Sequence, residues 1–390
     1  QPMTMERVAD VDAPPRPRLG ALSLRGIKQG IRTVHLWMGI VLCLPMILIG
    51  LSGSALLVQR EILWLQIPRA STTGQPQSLE RIIAAAQATM KPEIKPTWID
   101  LPQTRGRPAS VQFIVARRPN RTVEVYVDPA TLDVLGSSEI VRRGPVMQFI
   151  VNIHEFLMLP SHIGLRTVGW VAVAMTFMGF SGLYLWWPRK GKWKQAFLVK
   201  RGARGLRLHL DLHHAIGIWG LLVFLVLSIT GIYLAFPLSV SSGLKSVLPG
   251  GPTGHSFIEN DLVQTSPATP DEALAAARKV LPGAQPIGMQ LPGGDGAPYA
   301  VQMEAPGIEP SVPPVTVSFG GRSPNVVRID DPRTYSMSER VLNVGYAMHF
   351  SLGMGPAWTL LVFLSGLLPL ILAITGTTIW WKKRQNRLRV

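Results

Sequence analysis

Four long stretches without a charged residue constrain this chain more than any other feature. They cover residues 33–59, 167–188, 212–244 and 341–381, and the shortest has 22 residues. A bilayer core about 30 Å thick needs roughly 20 apolar residues in a helix, so each stretch can hold one membrane-spanning helix. The sequence therefore predicts a four-pass membrane protein.

The segments between the first and second stretches, and between the third and fourth, are long enough to fold as domains outside the membrane. The only cysteine, Cys43, lies inside the first stretch. This excludes an intramolecular disulfide, a covalently attached haem and a cysteine-ligated zinc or iron–sulfur site. The sequence also lacks a Walker loop, HExxH, GxSxG and a GxGxxG after a strand, which excludes the usual hydrolytic and dinucleotide-binding sites.

The net charge of +16 is unevenly distributed. Segments 1–34, 188–212 and 382–390 together hold 19 of the 39 basic residues, whereas 237–356 has more acidic than basic groups. The positive-inside rule then places both termini and the middle loop in the cytoplasm, and both large domains outside. Because topology explains the basic charge, we expect membrane lipid and no nucleic acid as a partner.

The two halves of the chain repeat each other. His35 precedes a Ser-Gly pair by 17 residues, and His213 precedes a Thr-Gly pair by the same spacing. Gly39 and Gly217 each follow these histidines by four residues. The second and fourth stretches both end in Gly-x3-Trp-Trp, and His154 and His349 each precede a proline by six or seven residues. This pattern predicts an internal two-fold repeat.

Each outward domain is predicted to be α+β. Alanine-rich helical stretches at 79–89 and 270–280 come before strand-like runs, and these runs end in the Asp-Pro pairs at Asp128 and Asp331. Asp-Pro pairs are typical of turns after strands.

These motifs resemble the PepSY-associated transmembrane helix family, and within it the inner-membrane ferric-siderophore reductases of Gram-negative bacteria. The resemblance rests on His-Leu-Trp-Met-Gly at 35–39, Val-Tyr-Val-Asp-Pro-Ala-Thr at 125–131, His-His-Ala-Ile-Gly at 213–217 and the Gly-x3-Trp-Trp ends. It implies an oxidoreductase that passes electrons across the bacterial inner membrane to ferric siderophore in the periplasm and releases ferrous iron. The electron donor, a quinol or a cytoplasmic reductase, stays open.

Two alternatives remain. One is a haem subunit that passes quinol electrons to a partner enzyme. The other is a non-redox PepSY-domain protein that regulates a peptidase or an envelope partner.

The histidines are the candidate ligands. Ionisable residues in spans are costly and point to function. Packing of two related halves about a pseudo-two-fold axis would bring His35 to His213 across a flat ligand such as haem. Gly39 and Gly217 lie on the same helix faces as these histidines and would let a porphyrin approach the backbone. The alternative is interfacial histidines with glycines as packing notches.

His154 and His349 form the second pair, near the outward membrane face. The sequence thus predicts two non-covalent b-type haems with these four histidines as axial iron ligands. Whether His209, His214 or His162 replaces one of them is left open.

The predicted architecture is a membrane α-helical bundle with two periplasmic α+β PepSY-like domains. Spans are expected at 32–59, 164–188, 209–237 and 357–381, and interfacial helices with their loops at 145–163 and 340–356. The PepSY-like domains are expected at 60–144 and 238–339, and the cytoplasmic segments at 1–31, 189–208 and 382–390.

Overall fold

A bundle of long helices and one β-sheet make up the computed structural model. It describes residues 24–117, 120–140, 145–248, 255–259, 268–292, 299–319 and 326–388. Of the predicted cytoplasmic segment 1–31, all but the last eight residues lie outside this description. The helices in the described residues are α1 (Leu24–Val41), α2 (Cys43–Gln66), α3 (Leu79–Gln87), α4 (Pro145–Phe156), α5 (Ser161–Trp186), α6 (Trp193–Ala196), α7 (Gly205–Ala235), α8 (Pro237–Val247), α9 (Pro270–Val280), α10 (Met337–Phe350) and α11 (Gly355–Leu388).

Three helices, α5, α7 and α11, are long and apolar enough to cross a membrane. Helices α1 and α2 meet the same criterion together, although they are bent by 63° where they join. The described residues therefore hold three spans, or four if the bent pair counts as one. The chain is a multi-pass membrane protein, as its charge-free stretches predict.

The bend between α1 and α2 differs from the uninterrupted span expected at 32–59. The break falls at Leu42, three residues before Pro45. Proline has no backbone N–H to donate, and its ring clashes with the carbonyl four residues earlier, here that of Val41. Average hydropathy over the stretch does not register this single proline.

The membrane helices of the two halves pack against each other chiefly at two contacts, α2 with α11 and α5 with α7. Helix α2 packs against α11, α11 against α7, and α7 against α5, while α1 lies against α5 and α11. Gly50 and Gly366 bring α2 and α11 so close that a Cβ at either position would overlap the backbone oxygen of the other. Such contacts between small residues are a common way for membrane helices to associate.

The strands outside the membrane form one antiparallel sheet. Its order is β4-β3-β2-β1-β6-β7-β8-β9-β5, which places the four strands of the first half on one side of the β1–β6 contact and the five strands of the second half on the other. The two predicted domains thus share a sheet, which local sequence patterns do not reveal. The strands are β1 (Pro96–Asp100), β2 (Ala109–Arg117), β3 (Asn120–Val127), β4 (Val134–Ile140), β5 (His255–Glu259), β6 (Gln285–Gln290), β7 (Ala300–Glu304), β8 (Val315–Phe319) and β9 (Val326–Asp330).

Strands β1 and β6 join the halves. Ile99 pairs with Met289, and both side chains are fully buried. Gly288 lets the Trp98 ring cross the junction, because a Cβ there would lie 2.6 Å from that ring. The Trp98 indole N–H donates to Asp100 at 2.7 Å. The joined sheet therefore has one continuous core.

Helices α3 and α9 pack on this sheet and on each other. The Asp271 carboxylate, in the first turn of α9, accepts hydrogen bonds from the backbone N–H groups of Leu79 (2.9 Å) and Glu80 (3.0 Å). A carboxylate at a helix N-terminus accepts hydrogen bonds from unpaired backbone N–H groups and interacts favourably with the positive end of the helix dipole. Asp271 therefore links the second half of the chain to the first helix of the first domain.

Candidate functional site: two pairs of histidines

The first histidine pair lies on the side of the bundle that faces the sheet. His154 is on α4, which packs against α2 and α5, and His349 is on α10, which packs against α7. Both helices, which were expected to be interfacial, therefore pack against the spans. The ring centroids of His154 and His349 are 6.4 Å apart, with the ring planes inclined by 58°. The structure brings together two histidines that are 195 residues apart in the sequence.

The second pair lies towards the opposite end of the bundle. His35 is on α1 and His213 is on α7. His35 contacts α5 through Ser181, and His213 contacts α11 through Thr375. The structure thus brings His154 to His349 at one end of the bundle and places His35 and His213 towards the other end, where their pairing across a ligand stays a prediction.

All four histidines have the same kind of support. In each, Nδ1 lies within hydrogen-bond distance of a serine or threonine hydroxyl on a neighbouring helix. The distances are 2.8 Å for His35 and Ser181, 3.3 Å for His154 and Ser52, 2.9 Å for His213 and Thr375, and 2.8 Å for His349 and Thr230. Each of these hydroxyl residues belongs to the same half of the chain as its histidine.

A glycine follows each hydroxyl residue, and the histidine ring lies against it. The distance from an added Cβ to the histidine Cε1 would be 2.9 Å at Gly53, 3.4 Å at Gly182, 3.3 Å at Gly376 and 3.9 Å at Gly231. The missing side chain therefore gives the imidazole room beside the helix backbone. The Ser-Gly or Thr-Gly pair acts as one supporting unit for each ring.

In the sequence, these eight supporting residues mark the repeat, and no local pattern assigns them a role. The signal was present, because a hydroxyl residue followed by glycine occurs at all four equivalent positions. Only the packed helices show which histidine each pair faces.

Gly39 and Gly217 lie beside side chains of neighbouring helices. A Cβ at Gly39 would be 3.2 Å from Met178 Cε, and one at Gly217 would be 3.7 Å from Leu372 Cδ2. Their role in contacting a cofactor stays a prediction.

Three further histidines differ from these four. The side chains of His162 and His214 are exposed, although the His214 ring centroid lies 6.4 Å from that of His213. His209 Nδ1 is buried and has no hydrogen-bond partner in the described part of the chain. Within that part, none of the three has the serine or threonine partner that the other four share.

An apolar layer separates the two pairs. It contains Met46, Val171, Met175 and Phe224, all buried. Met46 lies between His35 and Ser52 along the chain, and Phe224 lies between His213 and Thr230. The pairs are therefore separate sites with no charged side chain in the helix segments between them.

Two matched glycine substitutions test the packing of the first pair. Gly53→Ala should destabilise the protein by about 1–3 kcal/mol, because the new methyl group would lie 2.9 Å from the His154 ring. Gly231→Ala should be neutral or stabilising, because its nearest neighbours are at 3.6 Å and 3.9 Å and alanine favours a helix. Thermal unfolding of both variants in detergent measures the difference. Equal stability of the two would contradict the asymmetry described here.

The donor groups at each site restrict what it can bind. Across the residues described, no three His, Cys, Asp or Glu side chains cluster so that they could hold a metal ion. Each site therefore offers two imidazoles, too few to enclose a bare ion but enough for the axial positions of a flat metal complex.

The fold and the paired histidines define a multi-pass membrane protein whose two similar halves meet at each site. A comparison with protein families matches residues 32–383 to the PepSY-associated TM region. The chain belongs to this family, as its motifs predict. No curated protein matches it significantly.

Proposed function

We propose that this protein is a haem-containing oxidoreductase of the bacterial inner membrane. It would pass electrons through two b-type haems to ferric siderophore in the periplasm. The observation that carries the proposal is the 6.4 Å separation of the His154 and His349 ring centroids.

This separation suits two imidazoles on opposite sides of one metal ion. An imidazole nitrogen lies about 2 Å from a metal that it binds, and the ring centre lies about 1 Å further back, so two such rings have centroids about 6 Å apart. The rings of His154 and His349 already have this spacing. Haem bound there would supply one-electron transfer, and the two histidines would hold it from both faces.

The second pair offers the same donors. His35 and His213 occupy the equivalent positions at the other end, with the same hydroxyl and glycine support. We infer that they hold the second haem. One ligand of each haem then comes from each half of the chain, so the contacts of α2 with α11 and of α5 with α7 set the spacing of both sites.

The apolar layer between the pairs has a functional consequence. Met46, Met175 and Phe224 are buried and have no ionisable group. Such a layer permits electron transfer but gives a proton no path of titratable side chains. We infer that the protein moves electrons across the membrane without moving protons along the same path.

Orientation follows from the charges. Counting the bent pair as one span gives four, and basic residues concentrate in the N-terminal segment, the loop between α5 and α7, and the C-terminus. The positive-inside rule then places these parts in the cytoplasm and the sheet in the periplasm. His35 and His213 would hold the haem that receives electrons on the cytoplasmic side. His154 and His349 would hold the haem from which electrons leave.

The substrate class follows from the resemblance to ferric-siderophore reductases and from iron chemistry. Ferrous iron is softer and carries less charge than ferric iron, so oxygen-donor chelators built for the ferric ion release it. One electron delivered at the periplasmic face is therefore sufficient to release the iron from its chelator. A quinol or a cytoplasmic reductase would supply it.

Reduction of a ferric chelate tests this function. The full-length protein, reduced in detergent and freed of excess reductant, should convert a ferric hydroxamate siderophore to ferrous iron, recorded by a ferrous-specific dye. The same preparation left oxidised is the control. Reduced haem without ferrous product would favour an electron-transfer subunit. A protein with no haem spectrum would favour the non-redox PepSY protein.

A further inference from the structure

The hydroxyl groups that face the four histidines already have an acceptor for their own proton. The hydroxyls of Thr375 and Thr230 donate to the carbonyls of Ile371 (2.8 Å) and Val226 (2.7 Å), four residues earlier on the same helix. Ser181 is within 3.2 Å of the Met178 carbonyl. A hydroxyl that donates to its own backbone has only lone pairs left for a neighbour. The histidine Nδ1 must then be the donor.

His154 supports this direction independently. Its Nδ1 lies 2.9 Å from the Ile49 carbonyl oxygen. A carbonyl oxygen can only accept, so Nδ1 carries the proton. Ser52, three residues after Ile49, has its hydroxyl 2.5 Å from the Leu48 carbonyl and 3.3 Å from the same Nδ1.

The second half shows the hydroxyl contact. His213 Nδ1 lies 2.9 Å from the Thr375 hydroxyl, and His349 Nδ1 lies 2.8 Å from the Thr230 hydroxyl. Both histidines therefore donate to a hydroxyl, as His35 does, whereas His154 also donates to a backbone carbonyl.

A neutral imidazole has one protonated nitrogen, so a proton on Nδ1 leaves the Nε2 lone pair free. A metal ligand needs that lone pair, and a hydrogen bond from the other nitrogen fixes the ring orientation and raises its basicity. Gly53 lets the His154 ring lie close to the α2 backbone, since an added Cβ there would be 2.9 Å from the ring.

We propose that Ser52, Ser181, Thr230 and Thr375 are positioning residues that hold the four histidines with Nδ1 protonated and Nε2 free to bind iron. This inference deepens the proposed function and rests on it for the identity of the ligand. Each half of the chain orients both of its own histidines, so the cofactor would meet rings that are already placed before it binds.

The structure predicts unequal effects at two of these positions. Ser181 provides the hydrogen bond seen at His35 Nδ1. His154 has the Ile49 carbonyl in addition to Ser52. Ser181→Ala should therefore be more damaging than Ser52→Ala, which leaves the Ile49 carbonyl in place.

The first test uses the full-length chain without haem, with its histidines labelled with nitrogen-15. Nitrogen chemical shifts distinguish a protonated from an unprotonated ring nitrogen. The four paired histidines should show protonated Nδ1 and free Nε2, and Ser181→Ala should give His35 a mixture of both tautomers. Protonated Nε2 on the paired histidines of the unaltered chain would overturn the proposal.

The second test is haem affinity. Ser181→Ala should weaken binding at the His35 site by about 10–100-fold, the usual cost of losing a partner that orients a metal ligand. Thr375→Ser should keep the haem affinity of the unaltered chain, because serine retains the hydroxyl and lacks only the methyl group. Thr377→Val is the matched control, because the Thr377 hydroxyl bonds to its own helix at Ala373 and Ile374.

Unchanged affinity in a folded Ser181→Ala protein would reject the positioning role even if haem binds. If the unaltered chain binds no haem, the proposed function fails, while the nitrogen shifts still decide how the rings are held.

Discussion

Replacing either histidine of the sheet-side pair with alanine should leave the purified protein with one haem in place of two. His154 and His349 lie on different halves, and their rings have the spacing of two ligands on one metal. Removing one leaves a single imidazole, and no third donor that could hold a metal lies nearby in the described residues. The effect should therefore be loss of that haem, measured as the ratio of extracted haem to protein.

His35→Ala and His213→Ala should produce the complementary loss. Each of these two variants should keep the haem of the sheet-side pair. His162→Ala is a suitable control, because this exposed residue lies outside both pairs and should leave the ratio at two. An unchanged ratio in all four variants would reject the pairing, and loss of haem with His209→Ala or His214→Ala would reassign a ligand.

The two single-haem proteins should behave differently towards a ferric chelate. With electrons supplied by a small soluble reductant, His35→Ala should still reduce ferric siderophore at close to the normal rate. His154→Ala should lose most of this rate, because its remaining site lies beyond the apolar layer of Met46, Met175 and Phe224. Stopped-flow absorbance after mixing with the chelate measures both rates.

The comparison needs a control for folding. The core of the sheet involves neither histidine, so the circular dichroism of its strands should be the same in both variants. Equal rates in the two proteins would show that the sheet-side pair is not the point of exit. Loss of rate in His35→Ala alone would reverse the proposed direction of electron transfer.

Much of the fold could be predicted because it depends on local composition. The charge-free stretches correspond to α5, α7, α11 and the bent pair α1 and α2. Helix α9 runs from Pro270 to Val280, the bounds expected from its alanines and its acidic first turn. Hydropathy and helix signals act over a few residues, so one sequence is enough to read them.

Other features depend on contacts between distant segments. Nothing local in β1 or β6 indicates that they pair, since this contact joins Ile99 to Met289 across the two domains. The break at Leu42 was missed for a different reason. The proline that causes it stood in the sequence, but an average over the apolar stretch hides a single residue.

In the candidate site, too, some features could be predicted from the local sequence and others depend on contacts between distant segments. The repeat of His35 and His213, and that of His154 and His349, indicated which histidines are equivalent. Equivalence alone could not show what orients the rings. The hydroxyl of Ser181 reaches His35 only because α1 packs against α5.

The central claim is that each histidine pair holds one haem from both faces. Electron paramagnetic resonance of the oxidised, full-length protein, combined with its haem content, tests this claim most directly. Two haems per chain, both low-spin as expected for two imidazole ligands, is the predicted result. A protein without a Soret band, or with only high-spin iron open on one face, would contradict it.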